Sequence, residues 1–235
     1  MTRLMARLAG VDGCKGGWVA VEGQPGGKAV SCRRVARLTE LLASTPDIIA
    51  VDVPIGLLDT GARKCDREAR RILGPRRNSV FPAPLRPMLQ ANSHAEASAI
   101  RSQIEHKRVS IQAWGIIPKI READELLTEN PSRQEMVREV HPEVSFYFMN
   151  FERPMAHAKK KAAGKDERLA LLRKSYGELI DDILDERANL GCEYDDIIDA
   201  FAAFWSAERV ACDEAVVIPP SPPTDTYGLR MEMVA

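Results

Sequence analysis

The stretch LAGVDGCKGGWVAVEG, Leu8 to Gly23, decides the fold. Leu8 to Val11 is an apolar run that reads as a strand ending on Asp12. The segment GCKGG (Gly13 to Gly17) turns the chain, and Trp18 to Val21 returns as a second strand. A further turn, GQPGGK (Gly23 to Lys28), leads into a third strand over Ala29 to Val35. Two tight Gly-rich connections between short β-type runs predict an antiparallel meander.

Working outward, Leu38, Leu41 and Leu42 have the spacing of one helical face. The next run, IIAVDV (Ile48 to Val53), is continuously apolar except for Asp52 and reads as a buried central strand closed by Pro54 and Gly56. The spacing then predicts helices over Arg63 to Leu73, from the Ser93-x-x-Glu96 capping box through Ile100 and Ile104, and near Pro118 to Leu127. A strand is expected at about Met136 to His141, with Pro142 in the first turn of the following helix. KKKAAGK reads as a solvated basic run. Helices over Asp166 to Ala188 and Asp195 to Val210 close the fold, and the Pro-rich tail from Pro219 to Pro223 reads as a surface strap. Three hairpin-connected strands, a helix, a buried strand, a helical insertion, one more strand and a last helix make a ribonuclease-H-like order. The expected class is α/β: a mixed sheet flanked by helices in one domain over residues 1–235, with a helical, arginine-rich insertion over about 60–130 after the fourth strand.

Bulk properties set limits. A chain of 235 residues with 45% hydrophobic and 29% charged residues can bury one sizeable core. Its 33 basic and 34 acidic residues leave a formal net charge of -1, so there is no global attraction to polyanions. Locally, eight basic residues between Arg63 and Arg86 stand against two acids, an excess of six. Arg70, Arg76 and Arg77 are candidates for binding phosphate; a solvated helix face is the competing explanation. The five cysteines are widely spaced and contain no C-x-x-C pair, which argues against a disulfide framework or a structural zinc site and fits a reducing cytoplasm. Neither a signal peptide nor an apolar run of membrane-spanning length is evident.

The acids carry the chemistry. Asp12 lies at a buried strand end, where an unpaired charge costs several kcal/mol; it is either a turn aspartate or a metal ligand. Asp52 sits among Val and Ile and needs an arginine or a metal ion as compensation. Asp199 is the one charged residue of IIDAFAAFWSA (Ile197 to Ala207), too far into its helix to serve the helix dipole. Asp196, three positions earlier, shares its face, although an acidic helix start also explains it and explains Asp195 better. Glu143 in REVHPEVSF opens a helix, and His141 is a ligand, a proton shuttle or a satisfied loop histidine. Three or four carboxylates from separate elements suit hard cations such as Mg²⁺ or Mn²⁺. Two such ions activate water and stabilise a leaving oxygen at a phosphodiester. Lys15, just after the first strand, is positioned to stabilise developing negative charge or is an ordinary turn lysine.

At GVDGCKGGW, VDVPIGL, RKCDREARRILG, QAWGIIPKI, REVHPEVSF and the block from DDIIDAFAAFW to GLRMEMVA, the chain resembles the bacterial and archaeal proteins grouped as domain of unknown function 429. These are described as predicted nucleases with a ribonuclease-H-like fold. The resemblance covers nearly the whole chain and implies that fold. It matches Asp12 to the first-strand aspartate of the wider superfamily, Asp52 to the fourth-strand acid, and Asp196 and Asp199 to the D-x-x-D-A pair on the last helix of Holliday-junction resolvases. Glu143 falls in the family's own HPE motif. In this sequence the fourth-strand acid is followed by Pro-Ile-Gly instead of running onto a helix. The expected function is a nuclease using two Mg²⁺ or Mn²⁺ ions on nucleic acid. A nucleotide-binding phosphotransferase or ATPase of the same fold and a non-catalytic scaffold are the alternatives; Gly13, Gly16 and Gly17 fit a phosphate-binding turn only loosely.

Overall fold

The computed structural model describes residues 5–26 and 29–235. Gly27 and Lys28, in the expected second turn, lie outside the described residues. Strands β1 (Leu8–Cys14), β2 (Gly17–Gly23) and β3 (Val30–Val35) form the antiparallel meander. β1 does not end on Asp12. It runs through Asp12, paired with Val19, to Cys14, which faces Gly17 across a two-residue turn. The expected helix at Leu38 is a 3₁₀ segment, Leu38–Ser44.

β4 (Ile48–Val51) then lies parallel to β1, and β5 (Val137–Glu139) lies parallel to β4 on its far side. The result is a five-stranded mixed sheet of order β3-β2-β1-β4-β5. Between β4 and β5 run α1 (Lys64–Leu73), α2 (His94–Glu105) and α3 (Ile111–Glu129). α3 begins seven residues before Pro118, because Ser110 caps it by accepting from the amide of Ala113. Pro118 is therefore inside the helix, where it forgoes one backbone hydrogen bond to the preceding turn.

After β5 come α4 (Pro142–Met149), α5 (Ala162–Tyr176), α6 (Leu179–Asp185), α7 (Arg187–Leu190) and α8 (Tyr194–Ala211). The single helix expected over Asp166 to Ala188 is thus three pieces, first broken at Gly177 with φ 61°. The tail returns as a small ribbon of β6 (Val217–Ile218) and β7 (Met233–Val234).

Alternation along the strands divides the core between the two sheet faces. Ala9, Val11, Ile49, Val51 and Trp18 pack towards α2, α3 and the 3₁₀ segment. Leu8, Val21 and Ala50 pack towards α5, α6 and α8. Gly10 marks where α8 crosses β1: a Cβ there would lie 2.0 Å from the backbone nitrogen of Phe204 and 2.4 Å from the carbonyl oxygen of Ala200. Helix and strand touch backbone to backbone, with Ala200 and Ala203 both fully buried at the crossing. Among the described residues, no helix is long and apolar enough to cross a membrane, and the five cysteines are free thiols.

Candidate metal centre

The close crossing at Gly10 sets the geometry of the acids. Asp12 is two residues beyond Gly10 and Asp52 two beyond Ala50, so strand alternation turns both towards the α8 side of the sheet. The amide of Asp52 donates to the carbonyl of Val11 at 2.9 Å, which holds the two strand ends side by side. Asp199 projects from the first half of α8 onto the same spot. Ligand atoms of Asp12, Asp52 and Asp199 all lie within 4.8 Å of one another.

The trio forms part of a cleft of about 520 Å³. Asp12 and Asp52 keep partial exposure there, while Asp199 is only 6% exposed. Among the described residues one cation answers the three acids. Lys159 Nζ donates to Asp199 Oδ2, whereas Asp199 Oδ1 is buried without any partner. Burial and the charges of Asp199 and Asp52 hold the Asp12 carboxyl well above the ordinary carboxylate range. Burial pushes Asp52 up to about 7 against the pull of Lys159. It pushes Asp199 up to about 6, again opposed by Lys159. Burial is the largest cause of each shift, with neighbouring carboxylates adding to it at Asp12 and Asp199.

The remaining candidates are placed differently. Asp196 is outside the trio; its Oδ2 accepts from the amide of Glu193 at 3.0 Å and so caps the start of α8. It is near enough to add to the raised Asp12 carboxyl. Glu143 is fully engaged by Arg168, which donates Nε and Nη2 to its two oxygens at 2.7 Å each. His141 has both ring nitrogens occupied. Nδ1 accepts from the amide of Glu143 at 3.2 Å, and Nε2 contacts the carbonyl of Ser79 at 3.3 Å. Burial lowers its pKa and favours the neutral ring, which therefore donates through Nε2.

Lys15 is exposed at the hairpin tip, its carbonyl accepting from Arg34. Arg70 donates to the carbonyl of Val80 at 2.6 Å and Arg76 to that of Ala156 at 3.0 Å, while Arg77 is exposed. None of these three arginines lines the cleft.

A second polar cluster lies in the same cleft. Arg63, buried, donates to Glu139 from Nη1 and Nη2 at 2.7 Å each, and to Asp66 from Nη2 at 2.6 Å and Nε at 3.3 Å. The amide of Ile55 donates to Glu139 at 2.6 Å and that of Ala83 to Asp66 at 3.2 Å. Cys65, Asp66 and Glu139 also have ligand atoms within 4.8 Å of one another. Here, however, every carboxylate oxygen already has a donor, so this cluster is a clamp on the segment after β4. Burial still lifts Glu139 to about 7 against the pull of Arg63, since two acids share one guanidinium.

Sequence reasoning missed Lys159 and Arg63. KKKAAGK is not simply solvated, because its first lysine is folded over the trio. A family described as a protein of unknown function (DUF429) matches residues 10–224, a span that contains all three acids and Lys159. The chain belongs to this family. No curated protein and no solved structure matches it. Membership in DUF429 therefore names a lineage without naming a reaction, and the chemistry has to come from the site.

Proposed function

We propose that this DUF429 chain has a ribonuclease-H-like fold and is a divalent-metal-dependent nuclease that hydrolyses phosphodiester bonds of nucleic acid. The strand order β3-β2-β1-β4-β5 supports the fold, as do the parallel β4 and β5 and the last long helix laid across β1. One observation carries the chemistry: Asp12, Asp52 and Asp199 converge from two strands and a helix, with Asp199 Oδ1 buried and bare. An oxygen-only donor set of this kind fits Mg²⁺ or Mn²⁺. The orphaned oxygen of Asp199 is the mark of a site short of positive charge.

Asp12, Asp52 and Asp199 would hold the cation. Bound there, it supplies Lewis acidity towards a phosphodiester and makes a nucleophilic water available at neutral pH. The trio supports one ion directly, and recruiting Asp196 to a second would require it to leave the α8 cap. Lys119 and Lys160 line the cleft beside the acids. Lys119 is anchored with its ammonium 4.2 Å above the Trp18 ring and donates to the carbonyl of Gly17. These lysines offset the repulsion between a phosphate and the acidic floor, a task assigned from sequence to the arginines of the insertion. Neutral His141, donating to the carbonyl of Ser79 and accepting from the amide of Glu143, fixes the start of α4.

Purified protein incubated with Mg²⁺ or Mn²⁺ on single-stranded, duplex, hybrid and branched substrates tests this reading. Cleavage of at least one class is expected, lost on chelation and reduced about a thousand-fold in Asp52→Asn, the scale of several kcal/mol of charge stabilisation. Equal inertness of wild type and variant on every substrate refutes it.

A further inference from the structure

The cleft above the acids has a shape and chemistry that select among nucleic acids. Its rim carries Phe81, 59% exposed although its neighbour Val80 is fully buried. The ring is not displayed by a loose loop. The carbonyl of Val80 is tied to Arg70 at 2.6 Å, and the amide of Ala83 to Asp66 at 3.2 Å, so the backbone on either side is pinned. The ring is thus held at the cleft with most of its surface open to a partner.

Gly115 and Ile116 of α3 also line the cleft. A Cβ on Gly115 would meet nothing within 4 Å, and Ile116 is 40% exposed. Glycine inside a helix costs about 1 kcal/mol relative to alanine; here it leaves a bare strip of helix and open space. Lys119 is one turn further along the same face of α3. Four residues at 1.5 Å each make a rise of about 6 Å, comparable to the separation of a nucleobase from its own phosphate.

The arginines between Arg63 and Arg86 give no basic track into the cleft, since of them only Arg63 lines it. Arg63, Arg70, Arg76 and Arg86 are all committed to internal carboxylates or carbonyls. The positive charge that reaches the acids comes from lysines inside the cleft. At about 520 Å³ the cleft has the size of a small-ligand pocket, and Asp199 on its floor is 6% exposed. Stacking on Phe81 requires a base with a free face, which a base paired and stacked inside an intact duplex does not offer without unstacking.

We propose that the cleft takes single-stranded nucleic acid, with one base lying against Phe81 beside the Gly115 strip and its phosphate directed past Lys119 towards the acids. The substrate class rests on the nuclease reading above; the stacking surface rests on Phe81, Gly115 and the cleft itself. Stacking on an aromatic is sequence-tolerant, because every base presents a π-face. Base identity is therefore not what this cleft reads.

The test uses the full chain in Ca²⁺ and a short single-stranded DNA oligonucleotide containing 2-aminopurine, alone and annealed to its complement. Tighter binding of the single strand is expected, with quenching of 2-aminopurine as it stacks. Phe81→Ala should weaken binding about ten-fold or more and abolish the quenching, whereas Phe81→Trp keeps both. Gly115→Leu, a better helix former, should also weaken binding by filling the open space. Equal affinity for duplex, no binding of the single strand, or an unchanged Phe81→Ala overturns the proposal. The two readings fail separately. Phe81-dependent binding by a protein that cleaves nothing removes the nuclease and leaves the stacking site. Wild-type cleavage that Phe81→Ala leaves at full kcat/KM on single strands does the reverse.

Discussion

Two groups of acids lie in one cleft, and they are solved in opposite ways. Asp66 and Glu139 surround a guanidinium whose planar donors reach all four carboxylate oxygens, with two backbone amides completing the set. Asp12, Asp52 and Asp199 outnumber their one lysine and leave an oxygen bare. The first group is closed, with no coordination left to offer. The second is open, and the difference separates a structural clamp from a candidate binding centre better than the count of acids does. Both groups satisfy a simple distance criterion for holding a metal; only donor satisfaction tells them apart.

Breaking the closed cluster should have the largest effect. Arg63→Met would strand two buried carboxylates and release the carbonyls of Ile55 and Gly56 that the guanidinium also holds. A loss of about 3–5 kcal/mol is expected, lowering Tm by about 10 °C for a domain of this size. A variant that melts with the wild type would show that the clamp is dispensable.

The open cluster should respond in the other direction. Asp52 has a folded pKa of about 7, raised above its value in the unfolded chain. The protonated carboxyl therefore favours the fold below the unfolded value near 4, and that contribution is lost as pH rises through about 7. Asp52→Asn should stabilise the metal-free protein at pH ~8 by about 1–3 kcal/mol, and the gain should shrink towards pH ~5. Thermal melts at the two pH values in chelator check both the sign and the trend. Destabilisation at the higher pH would mean that Asp52 is already compensated.

The smallest effect sharpens the role of Lys159. Because its ammonium occupies part of the space a cation would fill, Lys159→Gln should bind Mn²⁺ a few-fold more tightly, on the order of 1 kcal/mol. Titration followed by the electron paramagnetic resonance of free Mn²⁺ measures this. Weaker binding would assign Lys159 to supporting the ion instead of replacing it.

The sequence exposes the open cluster more readily than the closed one. Asp52 inside IIAVDV and Asp199 inside IIDAFAAFWSA are conspicuous because an acid among apolar residues needs a reason. Their partners have no such contrast. Lys159 begins a run of three lysines, and Arg63 begins a basic stretch, so neither differs locally from a surface residue. Arg168 lies 25 positions from Glu143, and nothing in HPE indicates that this glutamate is spoken for. The sheet follows from apolar periodicity, whereas α3 starts early because an N-cap at Ser110 outweighs the usual reading of Pro118. Asp196 and Asp199 share a helical face as their spacing requires. Yet the first lies within reach of unsatisfied amides at the helix start and the second does not, which spacing alone cannot separate.

The backbone contact at Gly10 also bears on the order in which the molecule is made. β1 is synthesised well before the helix that seats against it. Until residues 200–204 arrive, the strip along Gly10 is uncovered and the growing chain carries only two of its three converging acids. Closing this face of the core and bringing the three acids together are consequently a single event.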